Sequence, residues 1–262
     1  MKNLKLMMIC AKLGAMNDME YRENFLIHLA ESFAALATGI SVLWVVYSQT
    51  DTIGGWTWNE ILVVLGLYYF FSGLVNMVLA PSIRQFMNQV WDGTLDFALV
   101  KPFDHQFVLS VQKVMIFQLV DVCTGLVVLV GALIALGADV TLERAAMFAV
   151  FLAAGAAILY AFWVALGTIA VWTVKIENVL LIFYSMFEAG RWPVGIYPDW
   201  LRYSLTYVVP IAFAITSPAE AVLGKLTWMN ALSTSCIAIV ATLAARAFWN
   251  FGVQRHYQGA SA

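Results

Sequence analysis

The sequence predicts an all-α integral membrane protein. Of its 262 residues, 62% are hydrophobic and only 11% are charged, whereas soluble domains average about 25% charged residues. A surface with so few charges cannot face water on every side, and a chain this apolar is not disordered. The net charge of −2 argues against nucleic acid as a partner. The excess of apolar residues is therefore expected to face lipid.

Long stretches without charge predict where the chain crosses the membrane. A spanning helix needs about 20 apolar residues, because the hydrocarbon core is about 30 Å thick and a helix rises about 1.5 Å per residue. Five stretches satisfy this requirement once Asp121 is admitted to one of them. With the shorter stretch described next, the six predicted spans lie at about residues 25–48, 60–80, 111–137, 145–174, 176–190 and 228–250.

The region after Lys175 requires a separate interpretation. Residues 178–187 are uncharged but few, and residues 203–219 contain Pro210 and Pro218. A proline inside a helix removes a hydrogen bond and clashes with the preceding turn. We therefore predict a span at about 176–190 and a re-entrant helical hairpin at about 203–219, before the last span. Seven full spans are the alternative, and they would place the two termini on opposite sides.

The distribution of basic residues predicts the orientation, because cytoplasmic loops carry an excess of Lys and Arg. With six spans and an inner N-terminus, ten of the 14 basic residues fall inside and four outside. The inner ones are Lys2, Lys5, Lys12, Arg22, Arg84, Lys101, Lys113, Lys175, Arg246 and Arg255. The outer ones are Arg144, Arg191, Arg202 and Lys225. We therefore predict that both termini are cytoplasmic.

The fourth predicted span carries a regular series of alanines. They recur every four residues at Ala149, Ala153, Ala157, Ala161 and Ala165. Small residues at this spacing let another helix backbone approach closely. The series predicts a helix-packing seam, within the chain or across a dimer, with a chance run in an alanine-rich helix as the alternative.

Three of the ionisable residues within or beside the spans, Asp121, Glu188 and Arg191, are candidates for the transport pathway or for a conformational latch. Asp121 needs a partner, because an acid inside the bilayer is costly. It is either a polar contact or latch of a transport pathway, or it pairs with a buried Ser, Thr or Gln of a neighbouring span. Glu188 and Arg191 are three residues apart and can pair on one helix face, which predicts a mainly structural role at the outer end.

No catalytic motif is present in the sequence. It contains no phosphate-binding loop of the G-x-x-x-x-G-K-[ST] type, no H-E-x-x-H and no G-x-S-x-G. Its three histidines, His28, His105 and His256, are dispersed and predict no metal site. If ATP is consumed, another chain must bind it.

The segment from Pro81 to about His105 is the most informative cytoplasmic region. Gly93 is expected to end one short helix and Pro102 a second. A short amphipathic helix held between two long spans is suited to transmitting force to a partner. A helix that merely lies on the membrane surface is the alternative.

The same segment resembles a known family. Residues 93–102 read Gly-Thr-Leu-Asp-Phe-Ala-Leu-Val-Lys-Pro, which is similar to the loop between the second and third spans of ABC-2 type transporter permeases. More narrowly, the chain resembles the six-span bacterial subfamily formerly catalogued as a domain of unknown function. Three further pieces match in the same order, at residues 21–25, 191–198 and 210–219.

This resemblance implies the transmembrane half of an ABC exporter that works by alternating access. ATP and Mg would be held by a separate ATPase subunit, with no cofactor in this chain. A coupling helix that docks on the ATPase is carried over to Gly93, Leu95, Asp96, Leu99, Lys101 and Pro102.

The resemblance also implies an interfacial N-terminal helix, in which Lys2, Lys5 and Lys12 face lipid phosphates while Leu4, Met8 and Ala11 enter the acyl boundary. The hairpin would line the outer end of a pathway between two permeases, the second being another copy or a paralogue. The expected location is the bacterial inner membrane.

Two other functions are compatible with a chain of this composition. An ion-coupled secondary transporter is the main alternative, although we see no internal repeat of the kind such folds often carry. An intramembrane transferase would need an interfacial cluster of catalytic residues, and Asp104 with His105 is the one adjacent acid–histidine pair on the inner loop.

Overall fold

The computed structural model describes residues 8–10, 12–16, 22–99, 104–137, 141–173 and 177–257. Most of these residues are helical, and among them the one β-type pairing is an isolated bridge between Ile53 and Trp56. The predicted all-α fold is confirmed. After helical turns at residues 8–10 and 12–16, the helices are α1 (Arg22–Tyr47), α2 (Trp58–Trp91), α3 (Asp96–Leu99), α4 (His105–Val111), α5 (Ile116–Ala135), α6 (Leu142–Ile169), α7 (Glu177–Glu188), α8 (Asp199–Val208), α9 (Ala212–Val222) and α10 (Trp228–Val253).

Five of the helices, namely α1, α2, α5, α6 and α10, are long and apolar enough to cross a membrane. Helix α7 has 12 residues and is about 18 Å long, which is less than the hydrocarbon thickness. Helices α8 and α9 qualify only as a pair, bent by 82°. The bend falls beside Pro210, where the sequence predicts the re-entrant hairpin. The chain is therefore a multi-pass membrane protein.

Helix α2 differs from its prediction, because it continues through Pro81 and ends at Trp91. Proline lacks the amide that would bind the carbonyl four residues earlier, which is that of Met77. Here the backbone N–H of Met115 donates to the Met77 carbonyl oxygen at 2.8 Å. A π-helical turn over Val75–Leu79 precedes the proline. The segment predicted to leave the helix at Pro81 therefore leaves it only after Trp91.

Ser82 strengthens the same junction. Its buried hydroxyl donates to the Lys113 carbonyl at 2.9 Å and accepts the Lys113 backbone N–H at 3.0 Å. The side-chain amide of Gln112 donates to the Ser82 carbonyl at 3.2 Å. Buried backbone groups require such partners. The distal part of α2 is thus fixed to the segment that leads into α5.

Helices α2 and α5 form the most intimate helix pair of the bundle. A Cβ atom added to Gly125 on α5 would lie 2.3 Å from the amide nitrogen of Phe70 and 2.7 Å from the carbonyl oxygen of Gly66. Inside a membrane, small residues allow the close backbone approach on which helix association depends. Glycine is therefore required at this crossing.

The bent pair α8–α9 begins and ends beside the first turns of α2. Just before the pair, Ile196 packs against Gly54, where an added Cβ would lie 3.1 Å from the Ile196 side chain. Just after it, Lys225 Nζ lies 2.8 Å from a Glu60 carboxylate oxygen. Both contacts are at one end of the bundle, so the pair enters and leaves at that end.

Candidate functional site

A tight turn and a single-turn helix follow α2. Gly93 has a φ of +66°, a left-handed conformation that glycine adopts without strain. The backbone N–H groups of Thr94 and Leu95 donate to the Gln89 carbonyl at 2.9 and 3.2 Å, which closes the helix end. Helix α3 follows at once. The sequence predicts both a helix end at Gly93 and a short helix after it, and the structure has both.

We call residues 91–99 the tip. Its side chains divide between the core and the surface: Leu95 is fully buried, whereas Phe97 is 78% exposed and Trp91 57% exposed. Leu99 is half-buried and Asp96 is exposed. The tip therefore exposes two aromatic side chains, Trp91 and Phe97, and is held to the core by Leu95.

The structure gives different positions to the residues predicted to meet a partner. Gly93 makes the turn, and Leu95 points into the core and is not available to another chain. Lys101 and Pro102 lie outside the described residues. The sequence reasoning missed Phe97, although a signal was present. Leu95 and Leu99 share one helix face by their spacing of four, so Phe97 lies on the opposite face.

Asp104 holds the chain beyond the tip to the last helix. As the N-cap of α4, its side chain accepts the Phe107 backbone N–H at 3.2 Å. Its two oxygens each accept a hydrogen bond from Arg246 on α10 at 2.8 Å. The Arg246 guanidinium holds the pKa of the Asp104 carboxyl below its usual range, because it stabilises the charged form. Asp104, the acid of the pair considered for a transferase, therefore makes a structural contact with Arg246.

Asp121 lies at the contact between α1 and α5. The hydroxyl of Ser32, a buried residue, donates to Asp121 Oδ1, and His28 Nε2 lies 3.5 Å from Oδ2. One alternative for Asp121 was a serine, threonine or glutamine of a neighbouring span, and Ser32 is such a partner. The contact with His28 was not predicted. Within the described residues, no group of three or more His, Cys, Asp or Glu side chains could hold a metal ion.

The comparison with known families covers nearly the whole bundle. A family model described as ABC-2 family transporter protein matches residues 33–261. The chain belongs to the ABC-2 transporter family. It is a membrane permease, and the resemblance carried by its motifs is confirmed. Membership of this family does not favour the ion-coupled alternative. No curated protein and no solved structure matches the chain.

In this ABC-2 permease, Arg191 contacts an aromatic ring. Its guanidinium lies 5.2 Å from the centroid of the Tyr68 ring on α2, a cation–π contact that strengthens as the groups leave water. The spacing predicts an ion pair between Glu188 and Arg191, but the described residues contain none between these two. Arg191 thus ties the segment after α7 to the central helix, far from the tip.

The alanine series of the permease faces more than one direction. Ala161 is buried, Ala157 and Ala165 are half-buried, and Ala149 and Ala153 are exposed. A spacing of four residues exceeds a helical turn of about 3.6, so successive positions rotate by roughly 40° around the axis. All five alanines therefore cannot meet one neighbouring helix.

The buried stripe of α6 is adjacent to the predicted one and packs against α10. Its buried members, spaced alternately by four and three, are Met147, Phe151, Ala154, Ile158 and Ala161. Helix α10 contributes its own small buried residues at this contact, Ala231, Ala238 and Ala245. A seam is therefore present within the chain, but only the later part of the predicted alanine series belongs to it.

Proposed function

We propose that this permease is the transmembrane subunit of an ABC exporter and that a separate ATPase subunit drives it through the tip. The observation that carries the proposal is the pairing of an exposed Phe97 on the short helix α3 with a buried Leu95 in the turn directly before it. A large aromatic group is the kind of side chain that anchors protein interfaces. A leucine packed into the core transfers any displacement of that group to the bundle.

Helix α2 is suited to carry this displacement. It has 34 residues and is about 51 Å long, which exceeds the bilayer core. The junction of Ser82 with Lys113 couples its distal part to α5. A push on the tip would therefore move two spans together. In the partner, ATP and Mg would bring two ATPase subunits together, and the paired permeases would change from one opening to the other.

The orientation belongs to the same proposal. The tip lies in the cytoplasm, both termini are cytoplasmic, and the protein resides in the bacterial inner membrane. The charge distribution supports this placement, because ten of the 14 basic residues then lie on the cytoplasmic side.

Two further surfaces fit a permease that works as a pair. Only 11% of the most apolar stretch of α1 is buried, which leaves the helix free to meet lipid or a second permease. The helical turns at residues 8–10 and 12–16 expose Met8 and Leu13 and lie against Val114 at Gly14, where an added Cβ would be 2.2 Å from the Val114 carbonyl oxygen. We propose that their exposed face lies on the membrane surface.

Replacement of Phe97 by aspartate tests the docking role. Co-expressed with its ABC ATPase, the wild-type permease should co-purify with the ATPase and stimulate ATP hydrolysis. Phe97→Asp should abolish the stimulation and weaken binding by about tenfold or more, the loss of a buried aromatic anchor. Trp200→Asp changes a 69% exposed aromatic residue near the other end of the bundle and should leave both unchanged. Normal coupling in the Phe97→Asp permease would contradict the proposal.

A further inference from the structure

An open cavity of about 370 Å³, with both polar and apolar lining, lies among α2, α7 and the first turn of α5. Its polar lining consists of Asn76, Arg84, Gln118 and Tyr184, and its apolar lining includes Pro81 and Met115. It adjoins the π-helical turn of α2 and the hydrogen bond between Met115 and Met77. Such π-turns occur frequently at functional sites. The cavity is separate from the tip and was not predicted from the sequence.

Arg84 gives the cavity a positive charge. Within the described residues no carboxylate lies within ion-pair distance of its guanidinium. Tyr184 lines the cavity beside it. A guanidinium with no ion-pair partner among the described side chains presents a planar set of donors that fits the oxygens of a phosphate.

Two amide groups supply acceptors in the same cavity. The Oε1 atom of Gln118 is buried and has no hydrogen-bond partner in the described chain. The side-chain nitrogen of Asn76 donates to Ser72 Oγ at 3.3 Å, which leaves its carbonyl oxygen to accept. A buried acceptor without a partner has lost its hydrogen bonds to water without replacement, so a ligand that donates hydrogen bonds would stabilise this site.

The position of these groups along α2 indicates where the ligand lies. Counted from Trp58 at the other end of α2, Asn76 is about 27 Å along the helix and Arg84 about 39 Å. The hydrocarbon core is about 30 Å thick and the whole bilayer about 40–45 Å. The cavity therefore extends from the edge of the acyl region into the headgroup region, on the side of the tip.

We infer that this cavity binds the headgroup of a phospholipid that carries a phosphate and a primary ammonium, as in phosphatidylethanolamine. Arg84 and Tyr184 bind the phosphate oxygens. The ammonium donates to the amide oxygens of Gln118 and Asn76. The acyl chains of the lipid extend past Pro81 and Met115 into the bilayer. A choline headgroup has the same phosphate but no N–H donor, so it satisfies only half of the site.

Lipid retention measured by native mass spectrometry tests this inference. The purified full-length permease is exchanged into nanodiscs of phosphatidylethanolamine or of phosphatidylcholine, and the lipid retained per chain is counted after release. We expect preferential retention of phosphatidylethanolamine. Arg84→Gln should lower its retention by about tenfold, as expected for losing a charge-assisted hydrogen bond. Gln118→Leu should remove the preference over phosphatidylcholine while the phosphate contact remains.

Two control variants separate binding from folding. Arg84→Lys keeps the charge and should retain most of the lipid. Arg202→Gln removes an exposed arginine that pairs with Asp199 near the other end of the bundle and should retain all of it. Equal retention by wild type and Arg84→Gln would overturn the inference, as would equal retention of the two lipids by the wild type. Displacement of the lipid by millimolar inorganic phosphate would show that free phosphate is the ligand, which also overturns it. None of these measurements depends on an ATPase.

Discussion

The first two spans of this permease, α1 and α2, are held in the bundle in opposite ways. In α2, 61% of the most apolar stretch is buried, against 11% in α1. Helix α2 is surrounded by protein and carries many of the largest buried side chains, such as Phe71 and Phe86. Helix α1 buries Leu43 in the core and makes polar contacts at two levels, Ser32 to Asp121 and the Tyr47 hydroxyl to the Trp56 carbonyl at 2.7 Å.

This difference indicates that α1 and α2 have different mechanical roles. Displacing α2 disrupts the core, so α2 can transmit a movement over its whole length. Displacing α1 breaks a few polar contacts and the packing of Leu43, since most of its apolar surface meets lipid before and after. Inside a membrane, helices are held together by close packing and hydrogen bonds and not by the exclusion of water, and α2 has far more packed surface than α1. We therefore expect changes on α2 and its partner helix to unfold the protein, and changes on α1 to loosen one helix.

The largest loss of stability is expected from a substitution at the crossing of α2 and α5. In Gly125→Val, the new side chain would clash with the backbone of Phe70, and the free energy of unfolding should fall by about 3 kcal/mol or more. Thermal unfolding of the purified protein measures this loss. Gly131→Ala on the same helix, where an added Cβ meets nothing within 4 Å, is the matched control. Equal stability of the two variants would show that α2 is not the packed centre.

A smaller effect is expected where α2 continues past Pro81. Ser82→Ala removes two hydrogen bonds between a buried hydroxyl and the Lys113 backbone, which should cost about 1–3 kcal/mol. The variant should also reduce ATPase stimulation, because the distal part of α2 would no longer move with α5. Ser185→Ala, which removes an exposed hydroxyl bonded within its own helix, should change neither. If Ser82→Ala lowered the stability but left ATPase stimulation normal, the contact between Ser82 and Lys113 would have no part in coupling to the ATPase.

The smallest effect on global stability is expected in α1. Ser32→Ala removes a hydrogen bond to Asp121, and polar contacts inside bilayers contribute about 0.6 kcal/mol on average. Hydrogen exchange should nevertheless speed up along α1 and stay unchanged in α2. A faster exchange in both helices would mean that α1 and α2 unfold as one unit, contrary to the comparison.

Much of the fold follows from the sequence, because a spanning helix needs a long apolar stretch whatever its neighbours are. The predictions that failed depend on neighbours. Pro81 does not end α2, since the Met115 amide supplies the missing hydrogen bond. The spacing places Phe97 on the face opposite Leu95 and Leu99, but the packing of the bundle decides which of these two faces is buried. The stripe of α6 that packs against α10 likewise depends on the partner helix.

The central claim is that the tip faces an ATPase in the cytoplasm, and labelling in intact cells tests it most directly. In a background with Cys10, Cys123 and Cys236 replaced, Gly195→Cys and Phe97→Cys are each treated with a membrane-impermeant maleimide. Gly195 is exposed, with nothing within 4 Å of an added Cβ. We predict that Gly195→Cys is labelled at once, whereas Phe97→Cys is labelled only after permeabilisation and is protected by the co-expressed ATPase. Labelling of Phe97→Cys in intact cells would contradict the account.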